Sequence, residues 1–282
     1  MCLHALVEND IRITAMNEKM KRKENSLAAL DELIDIIDKL RSPDGCPWDR
    51  KQTSVTLKPY LVEETYEALD AIDSGDAAHL REELGDVLLQ IMLHAQIAYE
   101  CDEFHIGHVI EGLSRKMIHR HPHVFSDTSV DGADDVIRNW EKIKAKEKNG
   151  RGVLEGVPSA LPGLLKAYRM GQKVSRVGFD WPDISGVRGK VDEELDELDE
   201  AVAEGDSAKI EHEMGDLLFA VAQWARHLGI DPEESLRQCC TRFENRFAFV
   251  EKNANDAGQR LSDITPEELD NYWEQAKKNE RY

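Results

Sequence analysis

The sequence repeats itself at a fixed distance of 130 residues. Three pairs of short blocks share this offset: EETYE at 63–67 with EELDE at 193–197, GD at 75–76 with GD at 205–206, and ELGD at 83–86 with EMGD at 213–216. Chance does not readily place three matches at one offset without a gap. A repeated unit of this length indicates two related structural modules in tandem.

Two further pairs of motifs extend the repeat with small slips. A basic residue followed four positions later by arginine occurs at 116–120 and again as Arg242 and Arg246. The pattern W-E-x-x-K occurs at 140–144 and again from Trp273 to Lys277. The likeness therefore reaches beyond the acidic blocks into the C-terminal part of each module.

Most of the chain has the periodicity of an α-helix, because Leu, Ala, Glu, Lys and Ile recur three and four residues apart. Aromatic residues make up only 6% of the chain, which suits helical cores better than a β-sandwich. We therefore predict an all-α fold of tandem helical-bundle modules. Helices are expected over roughly Ala77–Glu100, Lys190–Glu204, Ala208–Leu228 and Pro232–Asn253, with a last helix starting at Pro266 after an N-cap at Thr265.

Shifts in composition mark the expected module boundaries. Glycine and proline crowd together in NGRG and VPSALPG between 149 and 163, which predicts a linker. The first 24 residues mix acids and bases without an apolar run, so we expect a flexible extension rather than a secretory signal. The predicted organisation is extension 1–24, N-terminal module 25–148, linker 149–163 and C-terminal module 164–282.

The repeated acidic residues occupy positions that meet across a helical hairpin. Residues three or four apart share one face of a helix. Glu67 and Glu83 each lie 8 positions from Gly75, a residue type expected at the turn between two helices. Glu64 and Asp86 each lie 11 positions from the same glycine. Around Gly205 the same distances relate the acids of the second module, which are Glu194, Glu197, Glu213 and Asp216.

Four carboxylates that face one another repel unless a cation neutralises them. The economical explanation is a bound divalent cation, and an all-oxygen ligand set suits Mg²⁺ or Mn²⁺ rather than structural zinc. A lone E-E-x-x-E is more simply a solvated helix face, but the matching E-x-x-D and the repetition favour a metal site. The neighbouring apolar residues predict that Glu83 and Asp86 lie at a buried seam; they are Leu84, Val87, Leu88 and Leu89.

With these motifs the sequence resembles the MazG family of nucleoside triphosphate pyrophosphohydrolases, whose pattern is E-E-x-x-E, a gap, and E-x-x-D. The resemblance runs from about residue 25 to the C-terminus and includes GCPWD at 45–49, HPHVF at 121–125 and VGFDW at 177–181. It suggests the full-length, two-module type. It implies an all-α NTP-pyrophosphatase fold, a homodimer, and Mg²⁺-dependent hydrolysis of nucleoside triphosphates to monophosphate and pyrophosphate, with broad specificity in nucleotide-pool housekeeping.

The resemblance also implies roles for individual residues. The metal ligands it implies are Glu194, Glu197, Glu213 and Asp216 in the second module, with Glu64, Glu67, Glu83 and Asp86 as their first-module equivalents. The nucleotide-binding positions it implies are Lys190, Arg242, Arg246, Trp273 and Lys277. Arg242 stands where relatives commonly have lysine, which keeps the charge but changes the grip on a phosphate.

We have a separate hypothesis for the role of Glu193 in hydrolysis. Because it is not needed as a ligand, we expect it to orient or deprotonate the attacking water; alternatively it ligates a second ion. Trp273 either stacks on a base or ribose or belongs to a core or interface. The basic positions are phosphate clamps or ordinary surface charge. We expect the second module to dominate turnover, because its basic and aromatic partners match better.

The histidines at 119, 121 and 123 look like a metal cluster, but Pro122 breaks their helical spacing. We expect this segment to cap a helix and pack within its module. A di-iron oxidase is disfavoured because neither acidic site carries Glu-x-x-His. A P-loop NTPase is excluded because G-x-x-x-x-G-K-[ST] is absent. A non-catalytic helical module that binds nucleotide or a regulatory partner remains the alternative function, and the intact acids argue against it.

Asp and Glu number 56 against 36 Lys and Arg, a formal net charge of −20. This balance argues against a nucleic acid polymer as partner, since such binding needs clustered Lys and Arg. Ten of the acids lie in the two motifs, so a nucleotide that arrives with Mg²⁺ fits the same charge. No apolar run reaches the length that is needed to span a membrane. Five cysteines without C-x-x-C spacing predict a reducing, cytoplasmic setting.

Overall fold

The computed structural model describes residues 2–147 and 152–279, and within these ranges every regular element is helical. This confirms the all-α prediction. The chain divides into two compact units after Glu147. The predicted module boundaries stay predictions, and positions 149–151 of the expected linker lie outside the described residues.

The first unit contains seven helices in the described range. They are α1 (Cys2–Arg41), α2 (Pro47–Lys51), α3 (Lys58–Ser74), α4 (Ala77–Glu100), α5 (Ile106–Arg120), α6 (Pro122–Phe125) and α7 (Ala133–Glu147). Helix α1 packs on α4, and their junction holds a core of Ile37, Leu57, Met92 and Leu93. The predicted extension belongs to the same helix as the stripe that packs on this core, and its flexibility stays a prediction.

Within residues 152–279 the second unit contains five α-helices and one short 3₁₀ helix at Leu261–Asp263. The α-helices are α8 (Gly163–Ser175), α9 (Ile184–Glu204), α10 (Ser207–His227), α11 (Pro232–Asp256) and α12 (Pro266–Asn279). Helix α10 packs between α9 and α8, while α11 packs mainly against α12 and α8. Among residues 2–147 and 152–279, no helix has both the length and the apolar character that crossing a membrane requires.

Each unit is organised around one antiparallel hairpin, formed by α3 with α4 and by α9 with α10. Gly75 and Gly205 end the first helices with φ of +69° and +72°, the left-handed conformation that glycine adopts without a steric penalty. Asp76 then caps α4, and its carboxylate accepts hydrogen bonds from the Ala78 and His79 amides. Asp206 caps α10 in the same way. The chain therefore turns at the two glycines that the sequence predicts, Gly75 and Gly205.

The limits of the predicted helices agree closely with the structure, except at the start of the helix expected from Lys190. Helix α9 begins at Ile184 rather than Lys190, because Asp183 accepts hydrogen bonds from the Ser185 and Gly186 amides at 2.9 and 3.1 Å. The earlier start places Lys190 inside the helix, one turn before the acidic motif. At the other end, Thr265 caps α12 as predicted.

The predicted apolar seam on α4 is only partly correct. Val87 and Leu89 are half-buried, but Leu84 and Leu88 are exposed in this unit. Leu84 and Leu88 lie four residues apart on α4, and Met92, one turn further along the same stripe, reaches the core shared with α1. Glu83 itself is buried. The prediction that Glu83 is buried is therefore confirmed, but the exposed side chains of Leu84 and Leu88 do not bury it.

Candidate functional site

The first unit brings three predicted acids together at its hairpin. One carboxylate oxygen from each of Glu64, Glu67 and Glu83 lies within 4.8 Å of the others. Glu83 is only 8% exposed. Its Oε1 lies 3.1 Å from His79 Nε2, while its Oε2 is buried and has no hydrogen-bond partner among the described residues. Burial, followed by the charge of Asp86 and the other acids, raises the pKa of Glu64.

The second unit forms a matching cluster from Glu194 on α9 with Glu213 and Asp216 on α10, again within 4.8 Å. Glu194 is 5% exposed, and its Oε1 lies 2.7 Å from Lys190 Nζ. Desolvation and a hydrogen bond with Glu194 raise the pKa of Glu197. The second cluster therefore already contains a cation supplied by the chain.

Lys190 joins two neighbouring acids of this motif. Its ammonium donates to Glu193 Oε1 at 2.8 Å as well as contacting Glu194. These two carboxylates raise the pKa of Lys190, Glu193 contributing most. The predicted catalytic acid and the predicted substrate-binding lysine are therefore paired with each other. At the offset of 130 residues the first module has Tyr60 in place of this lysine.

All eight predicted metal ligands lie at the two hairpins, as the distances from the glycines predict. Asp86 and Glu197 fall outside the tightest groups of three, but each adjoins its cluster, since Asp86 raises the pKa of Glu64 and Glu197 shares a hydrogen bond with Glu194. The coordination of a metal by these residues stays a prediction.

The donor set fits a hard divalent cation. An unpaired carboxylate oxygen that is buried destabilises a protein strongly unless a cation or donor meets it. Glu83 Oε2 is such an atom, and Glu64 and Glu67 each place a carboxylate oxygen in the same cluster. Oxygen-only ligand sets are typical of Mg²⁺ and Mn²⁺. The residues present therefore suit a hard divalent cation, as the sequence predicts.

The other predicted substrate-binding residues form a group on α11 and α12. The guanidinium of Arg246 lies 5.6 Å from the centre of the Trp273 ring, and Phe243 lies 5.1 Å from the same ring. Lys277 pairs with Glu274 at 2.7 Å, and Arg242 is exposed. Of the five predicted residues, Lys190 lies in the acidic cluster and the other four lie on these two helices.

The basic-to-tryptophan arrangement recurs in the first unit. Trp140 has the Arg120 guanidinium at 5.6 Å and the Lys144 ammonium at 4.8 Å from its ring centre. This supports the extended repeat that the sequence indicates. In the nearby histidine segment, His121 stands between α5 and α6, and its Nδ1 lies 2.7 Å from the Met117 carbonyl oxygen, which fits the expected helix cap.

Sequence reasoning missed one polar cluster in the second unit. Asp180 lies in the loop before α9 and accepts hydrogen bonds from Arg226 on both carboxylate oxygens, while His227 Nε2 lies 3.0 Å away. These contacts, led by Arg226, lower the pKa of Asp180 to about 2. The segment VGFDW contains this acid, but no periodicity pairs it with an arginine 46 positions later. The cluster borders a cavity of about 390 Å³ lined by Phe179, Trp181 and Phe219 among others.

Two helical hairpins, each with a carboxylate cluster that could hold a divalent cation, place the chain among all-α proteins with a candidate metal site. Comparison with known proteins is more specific. The family model of the MazG nucleotide pyrophosphohydrolase domain matches residues 52–125 and 187–249, so that each match contains one acidic motif. The chain belongs to the MazG nucleotide pyrophosphohydrolase family.

Two relatives align with nearly the whole chain. The nucleoside triphosphate pyrophosphohydrolase/pyrophosphatase MazG of Thermotoga maritima is 46% identical over 249 residues, which cover 88% of this chain and 95% of the relative. The nucleoside triphosphate pyrophosphohydrolase of Escherichia coli K12 is 41% identical over 257 residues, covering 89% and 98%. The crystal structure of a MazG-related protein from Thermotoga maritima is 29% identical, with a TM-score of 0.36, and covers 41% of this chain and 98% of that one.

Proposed function

We propose that this protein hydrolyses nucleoside triphosphates between the α and β phosphates, releasing a nucleoside monophosphate and pyrophosphate. One observation carries the proposal: each hairpin gathers three carboxylates within 4.8 Å, at the motif that the family model matches. The names of relatives that align with 88–89% of the chain support the same reaction.

We propose Mg²⁺ as the metal, with Mn²⁺ as a substitute. Glu194, Glu197, Glu213 and Asp216 would hold it in the second module, with Glu64, Glu67, Glu83 and Asp86 in the first. When bound, such an ion neutralises phosphate charge and lowers the pKa of a water molecule. The buried carboxylates of Glu83 and Glu194 fix the position of the ligand set, because side chains that are packed lose little further freedom on binding.

Glu193 is proposed to receive the proton of the attacking water. Its carboxylate is adjacent to the ligand Glu194 on the same helix turn and more exposed than it, so water reaches it. Lys190 now occupies one of its carboxylate oxygens, and transfer of that lysine to a phosphate oxygen would free this oxygen. If Glu193 ligates a second ion instead, Glu193→Gln lowers metal stoichiometry as well as turnover.

The basic residues are proposed to bind the triphosphate. Lys190 is the one that lies beside the metal cluster, and Arg242, Arg246 and Lys277 extend the positive charge along α11 and α12. Charge-assisted bonds to phosphate oxygens are among the stronger hydrogen bonds in proteins. Trp273 offers a ring face for a base or ribose, held at present by Arg246 and Phe243.

We also propose that the protein is a homodimer that acts on nucleotides in the cytoplasm with broad base specificity. The exposed apolar residues on the hairpins support an interface between copies, among them Leu84, Leu88, Leu218 and Phe219. The thiols of Cys46, Cys101, Cys239 and Cys240 are free, which fits a reducing compartment.

Pyrophosphate release from a panel of common and damaged nucleoside triphosphates, with Mg²⁺ and with Mn²⁺, tests the reaction. We expect Glu197→Ala to lower turnover at least about tenfold, since even outer partners of metal ligands contribute 10- to 100-fold. Glu67→Ala, the matched change in the first module, should lower it less. Equal losses would refute the dominance of the second module. No release from any member of the panel would favour the non-catalytic nucleotide-binding alternative.

A further inference from the structure

The two acidic clusters differ in how their charge is compensated. In the second module the buried carboxylate is Glu194 on the first hairpin helix, and Lys190 contacts it at 2.7 Å. In the first module the buried carboxylate is Glu83 on the second hairpin helix, and one of its oxygens has no partner among the described residues. The other oxygen faces His79, which carries charge only when protonated.

The residue that corresponds to Lys190 cannot compensate the first cluster. Tyr60 stands at this position and its ring lies 5.8 Å from the Trp48 ring, edge to face. A phenol carries no positive charge at any pH. At this position the second module therefore has an ammonium and the first module a neutral phenol.

We propose that Lys190 is an internal counter-ion that opposes metal binding at the second cluster until a nucleotide draws the lysine side chain away. Metal and triphosphate would then bind the second module cooperatively. The first module, which has Tyr60, takes the metal without a nucleotide. This inference rests on the proposed function, because it concerns the order in which that site is filled.

The physical basis is competition between two cations for one carboxylate. An ammonium at 2.7 Å from Glu194 Oε1 repels a divalent ion at the same cluster and occupies ligand sites that the ion needs. Lysine has a flexible four-carbon stem, and Lys190 is 34% exposed, so it can move to a phosphate oxygen without unfolding α9. Its departure leaves Glu193 and Glu194 unpaired at the moment the triphosphate arrives. By linkage, a nucleotide that tightens metal binding is itself tightened equally by the metal.

The experiment measures Mn²⁺ binding to the full-length chain by titration calorimetry and by the electron paramagnetic resonance signal of free Mn²⁺. The first module is silenced by Glu64→Gln with Glu67→Gln. In this background we expect Lys190→Met to bind Mn²⁺ about tenfold more tightly without nucleotide, because a competing charge is gone. Lys190→Arg keeps the charge and should retain the weak binding. Unchanged or weaker binding by Lys190→Met would overturn the proposal.

A reciprocal experiment installs the counter-ion in the first module. With the second module silenced by Glu213→Gln and Asp216→Asn, Tyr60→Lys should weaken Mn²⁺ binding about tenfold. Tyr60→Met controls for the lost contact with Trp48 and should leave Mn²⁺ affinity unchanged. Equal affinities of the Lys and Met variants would contradict the counter-ion role.

A non-cleavable α,β-methylene triphosphate analogue tests cooperativity in the same chains. It should raise Mn²⁺ affinity more in the chain that keeps Lys190 than in Lys190→Met, and an equal gain in both would reject the coupling. The proposed function fails on a different result, namely no pyrophosphate release and no Mn²⁺ bound by the unaltered chain. Circular dichroism of each variant checks that the total helix content is unchanged.

Discussion

Asp180 fastens the loop before α9 to the end of α10, and its replacement by asparagine tests the energetics of this junction. The carboxylate accepts hydrogen bonds from Arg226 at 2.5 and 2.9 Å and from the Trp181 amide at 2.9 Å. Its side chain is 23% exposed and that of Arg226 is 11% exposed. Solvent therefore screens this pair far less than an ordinary surface pair.

The magnitude follows from the pKa of Asp180. The folded protein lowers it from 3.8 to about 2, mainly through Arg226. Each pKa unit corresponds to about 1.4 kcal/mol of differential interaction, so ionised Asp180 stabilises the second unit by about 2 kcal/mol. Asp180→Asn should lower the free energy of unfolding by at least about that amount, since it also leaves the Arg226 charge without its carboxylate.

The pH dependence has a definite sign. Because the folded-state pKa lies below the unfolded value, the contribution is fully present above about pH 4 and is lost as the pH falls towards 2. Urea denaturation followed by circular dichroism at several pH values measures the difference between the wild type and Asp180→Asn. The difference should be constant between pH 7 and pH 5 and should shrink below pH 4. A difference that persists undiminished at pH 2 would refute the electrostatic explanation.

Asp263 provides a matched control in the same unit. It also accepts two hydrogen bonds from one arginine, Arg260, at 2.8 and 3.0 Å. Their side chains are 49% and 82% exposed, so solvent screens this pair. Asp263→Asn should cost less than about 1 kcal/mol. Equal costs for the two variants would show that burial does not set the strength of the Asp180 contact.

Three smaller predictions concern the stability of the second unit, measured by thermal unfolding. Gly171→Ala should destabilise the second unit by about 1–3 kcal/mol, because the new Cβ would lie 1.7 Å from buried Gln223 Oε1. Its control is Gly189→Ala, whose Cβ would meet open space on a helix, so that this change should stabilise the unit slightly. Thr265→Ala should cost about 1 kcal/mol by removing the N-cap of α12. Gly205→Ala should cost about 1–2 kcal/mol, because its φ of +72° is strained for alanine.

The hairpins could be predicted from the sequence because their determinants are local. A glycine that ends one helix and an aspartate that caps the next stand side by side at 75–76 and 205–206. Once the turn is known, helical periodicity alone places the acids opposite one another. The two carboxylate clusters therefore follow from spacing, without knowledge of the rest of the fold.

Burial and charge pairing could not be predicted in this way, because they depend on packing between helices distant in sequence. The acids Glu64 and Glu194 occupy equivalent positions, yet Glu194 is buried while Glu64 is half-buried. The pairing of Asp180 with Arg226 joins a loop to the far end of α10. The contacts of Lys190 with Glu193 and Glu194 are by contrast local, because residues three and four apart share one face of a helix.

The two modules therefore differ at a position outside the acidic motif, where the second has Lys190 and the first has Tyr60. Four acids recur intact, but a carboxylate cluster acquires its affinity from the charges around it as much as from its own ligands. Lys190 lowers the net charge of the second cluster, which weakens its hold on a bare ion and prepares a cation for the triphosphate. Tyr60 supplies no such charge to the first cluster, which by the same reasoning takes an ion without a nucleotide. Intact motifs alone therefore do not predict equal activity, and we expect the second module to dominate turnover.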